Sequence, residues 1–267
     1  MEPRRKAQFL QEAAGIMGLD GFEQGYLSGA AKMMNEWRLY QRWTSHKVSQ
    51  MDTGVFDEAR IFDYGAALRR RDCPFGDQVA GFTDGTLDAC CRPYHAGCNG
   101  IVQRGFFSGN HHDHGLQYEV TSHPDGLISR CFGPLPGATP DLPMARASGL
   151  QAMIRAHYYG KYIYADKAFL TMTPEVLFPI LNAPPASPAS ALNYLMSVQR
   201  VHIEHDIGRL YMHCRRLQTE MRIGDEIPGI VFLNSLFLTN VLSCVYRGNE
   251  TAQWYDCAPP TLAEYLA

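Results

Sequence analysis

The stretch Val79-Ala80-Gly81-Phe82-Thr83-Asp84-Gly85-Thr86 gives the chain its clearest structural signal. Its first residues form a short β-prone run, and the Asp-Gly pair that follows is typical of a turn after a strand. We therefore predict a strand over 79–83 with Asp84 at its end. An alternative interpretation makes Asp84 only a turn residue.

Similar patterns continue towards the C-terminus. The turn His123-Pro124-Asp125-Gly126 joins two β-prone runs, and a Gly- and Pro-rich loop precedes the next helical pattern. Strands followed by a helix, a further strand and more helices indicate an α/β or α+β domain, with helices packed on one mixed sheet. The predicted elements are strands over 116–122, 127–132 and 162–165 and helices over 142–158, 191–221 and 230–246.

The N-terminal part of the chain has a different pattern. It contains little strand patterning and spaces its apolar residues at helical intervals, as in 33–43 and 55–68. We predict a helical N-terminal region over 1–76 and one α/β domain over 77–267.

Composition argues against several classes of protein. Apolar residues make up 46% of the 267 residues, which is enough for a buried core. The eight cysteines lack regular spacing and fit reduced thiols better than a disulfide framework, so a nuclear or cytosolic protein is expected. The basic N-terminus is not followed by an uninterrupted apolar run, and the most apolar segment, 230–246, is short and contains Asn and Ser. We therefore expect neither a secretory signal nor a membrane span.

The charge and the short motifs narrow the choice further. A net charge of −3 gives no overall attraction to nucleic acid, so any DNA contact must come from local basic patches, which are usually only solvated faces. No phosphate-binding glycine loop and no Gly-x-Ser-x-Gly motif occurs, so we expect no nucleotide cofactor and no serine hydrolase. The candidate patches are 4–6, 69–71, and the group Arg209, Arg215, Arg216 and Arg222.

Acidic residues stand where this layout could bring them together, at strand ends and on helix faces. Asp84 and Asp166 end predicted strands, Asp141 opens a predicted helix, and Glu204 lies inside another. Phosphodiester chemistry needs such a cluster, because two divalent cations must neutralise the phosphate, activate a water and stabilise the leaving oxygen. Carboxylate oxygens suit Mg²⁺ or Mn²⁺. The pattern therefore favours a site for two divalent cations.

Each acid also has a purely structural interpretation. Asp141 could cap the helix that follows it, and Asp166 could pair with a neighbouring lysine. Glu204 could pair with Arg200, one helical turn earlier. The residues alone leave these alternatives open.

A zinc site is a further alternative. Two groups of metal-binding side chains occur, but neither has the paired spacing of a zinc motif. We interpret the histidines as lining the groove near the acids or as exposed. The two groups are Cys90, Cys91, His95 and Cys98, and His111, His112 and His114.

An ordered series of motifs resembles the PIF/Harbinger-type DDE transposases, especially their fungal-type members. The run over 81–86 is similar to the Gly-Phe-Ile-Asp-Gly-Thr strand of that family, and the resemblance extends from Asp57 to the C-terminus. Each motif is weak alone, whereas their common order is specific. The other motifs lie at 91–93, 114–118, 124–128, 133–141, 164–169, 200–208 and 259–265.

The resemblance implies an RNase H-like nuclease core and a metal-dependent DNA endonuclease, a transposase that cuts and transfers strands. In the family's pattern Asp84, Asp166 and Glu204 match the catalytic acids. Asp141 matches a further acidic position, which we interpret as a supporting metal ligand. The implied cofactor is a pair of Mg²⁺ or Mn²⁺ ions, and Arg200 would orient Glu204 or contact phosphate.

Further expectations concern partners and location. The resemblance implies a separate Myb-like DNA-binding partner and a location in the nucleus as well as the cytoplasm. We expect no membrane association. The sequence is compatible with a homo-oligomer.

The chain departs from the family at several basic or histidine positions. Residues 108–114 lose two basic residues, 137–141 lose a histidine, and Tyr211 replaces a residue that is often basic. These changes spare the acids but weaken the expected DNA contacts. The alternative function is therefore a domesticated, catalytically inactive DNA- or protein-binding module. The retained acids favour the enzyme, because clustered like charges repel each other without a cation.

Overall fold

The computed structural model describes residues 47–93, 99–172, 174–220 and 228–267. The helical pattern predicted at 33–43 lies outside the described residues. The main elements, in chain order, are α1 (Glu58–Arg70), β1 (Val79–Ala89), α2 (Asn99–Phe106), β2 (Phe107–Ser108), β3 (Asp113–Ser122), β4 (Ile128–Pro136), α3 (Asp141–Ser148), α4 (Leu150–His157), β5 (Tyr162–Tyr164), β6 (Val176–Leu177), α5 (Pro188–His213), α6 (Pro228–Val245), α7 (Glu250–Tyr255) and α8 (Leu262–Leu266).

The strands form one mixed, six-stranded sheet with helices packed against it. The order is β2-β3-β1-β5-β6, and β4 also pairs with β3. β1 lies in the middle, antiparallel to β3 and parallel to β5. The predicted class, an α/β protein with an RNase H-like mixed sheet flanked by helices, is confirmed.

β1 is longer than the sequence pattern indicates. It continues through the Asp-Gly pair to Ala89, because Phe82 to Ala89 pair with Ser122 to Gly115 of β3. Asp84 therefore lies within the strand, opposite Val120, and the prediction of a strand end or turn at Asp84 is wrong. Long-range strand pairing here overrides a local turn preference.

Two helix predictions need similar correction. The helix predicted over 142–158 is divided into α3 and α4 at Gly149, whose φ of 69° lies in the left-handed region that glycine tolerates. α5 begins at Pro188. Ser187 is its N-cap, and the Ser187 side chain accepts the Ser190 N–H. The helix ends at His213 rather than near 221.

α6 is the apolar helix of the core. Its Phe232 ring stacks on Tyr118 of β3 at 3.9 Å, and Leu236 and Val241 are buried. Among the residues that the structure describes, no helix is long and apolar enough to cross a membrane.

α1 shares this core with the sheet. Ile61 and Tyr64 belong to the same buried cluster as Val120 of β3. The Tyr64 hydroxyl donates to Asp125 at 2.7 Å in the turn between β3 and β4, so the helix is tied to the sheet by a buried hydrogen bond. The division of the chain at residue 76 stays a prediction.

Asn240 of α6 offers a direct test of how the helix is held. Its buried side chain accepts the Ile128 N–H at 2.9 Å and donates to the Ile128 carbonyl at 2.7 Å and to the Tyr265 hydroxyl at 3.0 Å. Asn240→Ala should lower the free energy of unfolding by about 2–4 kcal/mol, because it leaves two buried backbone groups without partners. Urea titration measures the change.

Asn110→Ala is the matched control, since Asn110 lies in an exposed turn. We expect the control to stay within about 0.5 kcal/mol of the wild type. Equal effects of the two substitutions would contradict this account of α6.

Candidate active site

A crevice opens beside β1 where β5 ends. β5 ends at Tyr164, which pairs with Phe82. β1 continues for another seven residues, from Thr83 to Ala89, without β5 beside it. Crevices at the carboxyl ends of parallel strands are common ligand sites in α/β proteins, because side chains from several elements reach them.

The strand register places Asp84 and Asp166 together. Phe82 pairs with Tyr164 in the parallel ladder, and each acid lies two residues later in its own segment. Side chains alternate between the two faces of a sheet. Asp84 and Asp166 therefore lie on the same face as Phe82 and Tyr164, which precede them by two residues. Two predicted site residues therefore lie on one face at one end of this strand pair.

Each of these carboxylates is held by backbone. Asp84 accepts the Gly85 N–H at 3.0 Å, and its side chain is 21% exposed. Asp166 accepts the Ala168 N–H at 2.7 Å and begins the short 3₁₀ turn Lys167–Phe169. Both acids thus keep oxygen lone pairs free for other ligands.

Asp141 enters the crevice from the α3 side of the sheet. It accepts a hydrogen bond from the Gln117 side chain at 3.0 Å. A Cβ atom on Gly85 would lie 2.3 Å from Asp141 Oδ1, so only glycine lets this carboxylate come so close to β1. The capping interpretation of Asp141 is wrong, because Pro140 is the N-cap and no side chain caps α3.

α5 supplies the opposite wall. Arg200 Nη2 lies 4.0 Å from Asp84 Oδ2, and the Tyr211 hydroxyl donates to the Leu87 carbonyl at 3.2 Å. α5 therefore follows β1 in the same direction. Residues 4 and 11 positions after Arg200 lie on the same stripe of a helix, so Glu204 lies on the β1-facing stripe between the two contacts.

Glu204 is nonetheless exposed, and the ion pair of Arg200 within the described residues is with Asp84. The structure brings Asp84, Asp141 and Asp166 into mutual electrostatic range. Glu204 lies one turn after Arg200 on the same stripe, and among the described residues it forms no hydrogen bond or ion pair with the three aspartates.

The electrostatics follow from this crowding. Burial, followed by the nearby Asp166 and Asp141 carboxylates, raises the pKa of Asp84 to about 6, against the opposing effects of Arg200 and the Gly85 N–H. Burial and Asp166 also raise the pKa of Asp141, while Gln117 and His111 oppose that shift. A divalent cation would relieve the repulsion between these acids.

The chemical type of these side chains suits a divalent cation, but their present spacing does not form a complete metal site. Three aspartates at one crevice are the oxygen donors that Mg²⁺ and Mn²⁺ prefer. Within the described residues, however, no group of three or more His, Cys, Asp or Glu side chains is close enough to hold a metal ion as it stands. The zinc alternative therefore gains no support there, and His95 and Cys98 lie outside the described residues.

Two grooves flank the acids. One, of about 410 Å³, is lined by Gly85, His111, Gln117 and Asp141, so His111 lines the groove as the sequence suggests. The other is lined by Asp166, Arg200 and the loop over 179–183. Gln117 carries no motif signal of its own, so the sequence does not predict its place in this site.

Some of the described basic residues in the candidate patches are engaged in contacts within the fold. Arg209 donates to Asp206 at 2.6 Å and to the Gly126 carbonyl at 3.0 Å, so its side chain is engaged within the fold, and a phosphate contact there stays a prediction. Arg70 donates to the Asp256 carbonyl. Arg215 and Arg216 are exposed, whereas Arg222 and residues 4–6 lie outside the described residues.

Substitution of Asp84 tests the electrostatics of the crevice. Because the folded pKa is raised from 3.8 to about 6, the wild type loses stability as pH rises between these values, when the unfolded chain ionises first. Asp84→Asn removes this term. Relative to the wild type, the free energy of unfolding of the variant should rise by up to about 3 kcal/mol between about pH 4 and pH 7, and it should not rise further above pH 7.

Denaturant unfolding of both proteins across this pH range measures the difference. A stability difference that stays constant with pH would mean that the pKa of Asp84 is not raised in the folded protein.

Comparison with known proteins identifies the family. Residues 83–240, more than half of the chain, match the family model described as DDE superfamily endonuclease. This is a family of transposase-type nucleases that act on DNA and generally use divalent metals. No curated protein and no solved structure matches the chain. The matched range includes α5 and the four predicted acids. Because the match covers more than half of the chain, the chain belongs to the DDE superfamily endonucleases.

Proposed function

We propose that this chain is the catalytic region of a PIF/Harbinger-type DDE transposase, of the fungal type, that cuts DNA and transfers the freed end. The observation that carries the proposal is the placement of Asp84 and Asp166 on one face at the end of the β1–β5 pair, with Asp141 within electrostatic range of both. Like charges are brought together there at a cost to stability, which suits a cation site better than a structural role.

In this proposal the acids divide the work of metal binding. Asp84 and Asp166 lie on one face and would bind two Mg²⁺ or Mn²⁺ ions, Glu204 would complete the second site, and Asp141 would support from the other face. Bound there, such ions neutralise the phosphate, activate a water and later a 3′-hydroxyl, and stabilise the leaving oxygen.

The other residues of the crevice position these groups. The Ala168 N–H holds Asp166, and Gln117 holds Asp141, so that neither carboxylate needs to find its rotamer during binding. Arg200 neutralises part of the Asp84 charge and would contact the DNA phosphate.

The second candidate function is a domesticated, inactive module that binds DNA or protein. It is favoured by the lost basic positions, since Tyr211 bonds the Leu87 carbonyl where relatives often carry a basic residue, and Arg209 is committed to Asp206. A metal-dependence assay separates the two functions.

The proposal extends to organisation and partners. We propose the division into a helical region over 1–76 and a nuclease domain over 77–267, a separate Myb-like DNA-binding partner, and a location in the nucleus as well as the cytoplasm. A homo-oligomer is compatible with the proposal.

Substitution of the acids tests catalysis. With Mg²⁺ or Mn²⁺, the wild type should nick supercoiled plasmid, and Asp84→Asn, Asp166→Asn and Glu204→Gln should each lower the rate by about 100-fold or more, because each removes a metal ligand. Asp141→Asn should lose about 10–100-fold, as expected for a supporting group. Gel analysis of the relaxed plasmid gives the rates.

Asp63→Asn is the matched control, since Asp63 is an exposed carboxylate on α1. It should nick like the wild type. Undiminished nicking by Asp84→Asn would place the cutting elsewhere, and a folded wild type without metal-dependent nicking would favour the inactive module.

Binding to DNA should be weak without a partner. The net charge is −3, and Arg70 and Arg209 are engaged within the fold, so we expect a dissociation constant on the order of 10⁻⁶ M or weaker that rises steeply with salt. A titration of labelled duplex at near-physiological salt measures it. Sequence-specific binding in the nanomolar range by the chain alone would contradict this expectation.

A further inference from the structure

A second groove adjoins the acids, and the proposed mechanism does not use most of it. We call it the Ile180 groove. It has a volume of about 560 Å³, and its charged wall consists of Asp166, Lys167 and Arg200. The opposite wall is the loop that carries Ile180 and Leu181.

The loop is fixed in place from α5. The Asn193 side chain accepts the Ile180 N–H at 2.7 Å and donates to the Ile180 carbonyl at 2.8 Å. Such a two-point bond replaces the strand partner that the loop backbone lacks and leaves little freedom at Ile180. Pro179 precedes this bonded residue and restricts the backbone further.

The fixed loop exposes apolar side chains next to the acids. Ile180 is 45% exposed and Leu181 is 47% exposed.

We propose that the Ile180 groove holds one unpaired nucleotide next to the phosphate that is cut. The base would lie against Ile180 and Leu181, and its phosphates would contact Lys167 and Arg200. This inference rests on the proposed function and specifies its substrate as DNA with an unpaired nucleotide beside the reacting phosphate.

Covalent connection and charge both point to DNA as the occupant. A phosphate bound between Asp84 and Asp166 carries its neighbouring nucleotide with it, and Asp166 also lines the Ile180 groove. The positive side chains of Lys167 and Arg200 in the charged wall complement a phosphodiester backbone. Apolar side chains accept the faces of all bases, and proteins use such wedges to separate a base from its stack.

A binding experiment isolates the contribution of the bases. Two labelled oligomers of about 12 nucleotides are titrated with the full chain in Ca²⁺, one of them oligothymidylate and the other an abasic strand of equal length. The wild type should bind oligothymidylate about 10-fold more tightly than the abasic strand, because only the former offers bases to the groove.

Variants locate this difference in the groove. Ile180→Ser, Leu181→Ser and Asn193→Ala should each reduce the ratio of the two affinities by about 3-fold or more, because they remove the apolar wall or its fixation. Lys167→Gln should weaken both strands equally, since it removes a phosphate contact, and so leave the ratio unchanged. Tyr246→Ser, at an apolar residue that is 58% exposed just after α6, is the matched control.

The outcomes separate this inference from the proposed function. A wild-type ratio near one, or a ratio that Tyr246→Ser lowers as much as Leu181→Ser does, overturns the inference even if the chain nicks plasmid. A ratio that depends on Ile180, Leu181 and Asn193 supports the groove even if nicking fails. Melting temperatures of the variants establish that they are folded.

Discussion

The parallel pairing of β1 with β5 is the constraint on which the candidate site depends. It fixes Asp84 and Asp166 on one face of the sheet, although their charges would separate them in water. The backbone hydrogen bonds of the ladder and the buried side chains around it, such as Phe82 and Tyr164, supply the stability that offsets this repulsion. Burial, followed by the nearby Asp166 and Asp141 carboxylates, raises the pKa of Asp84 in this position.

The neighbouring elements deal with the same charge in different ways. α5 brings Arg200 to within 4.0 Å of Asp84, and β3 supplies Gln117 to Asp141. Gly85 has no side chain, and the space this leaves lets α3 bring its carboxylate up to the strand from the other face. A site of this kind is polar and partly open, whereas the hydrogen bond between Tyr64 and Asp125 and the side chain of Asn240 tie the surrounding elements into a closed core.

Much of the fold and part of the site follow from the sequence. Short β-prone runs and helical spacing predict the mixed sheet, and the family resemblance points to the aspartates that the structure brings to one crevice. Local patterns fail where distant pairing decides, as at Asp84, which a turn preference places at a strand end although β3 extends β1 beyond it. They also fail for Gln117 and for the exposed Ile180 loop, because neither has a motif and both depend on which elements meet. Helical periodicity places Glu204 one turn after Arg200 on α5, but it does not give the position of the carboxyl group.

Anomalous X-ray diffraction from crystals soaked in Mn²⁺ would locate bound metal ions independently of any activity. We expect two Mn²⁺ peaks about 3.5–4 Å apart in the crevice, with carboxylate oxygens of Asp84 and Asp166 as ligands. Arg200 should then have left Asp84. Mn²⁺ bound only elsewhere, with Arg200 still beside Asp84 at millimolar metal concentration, would contradict this expectation.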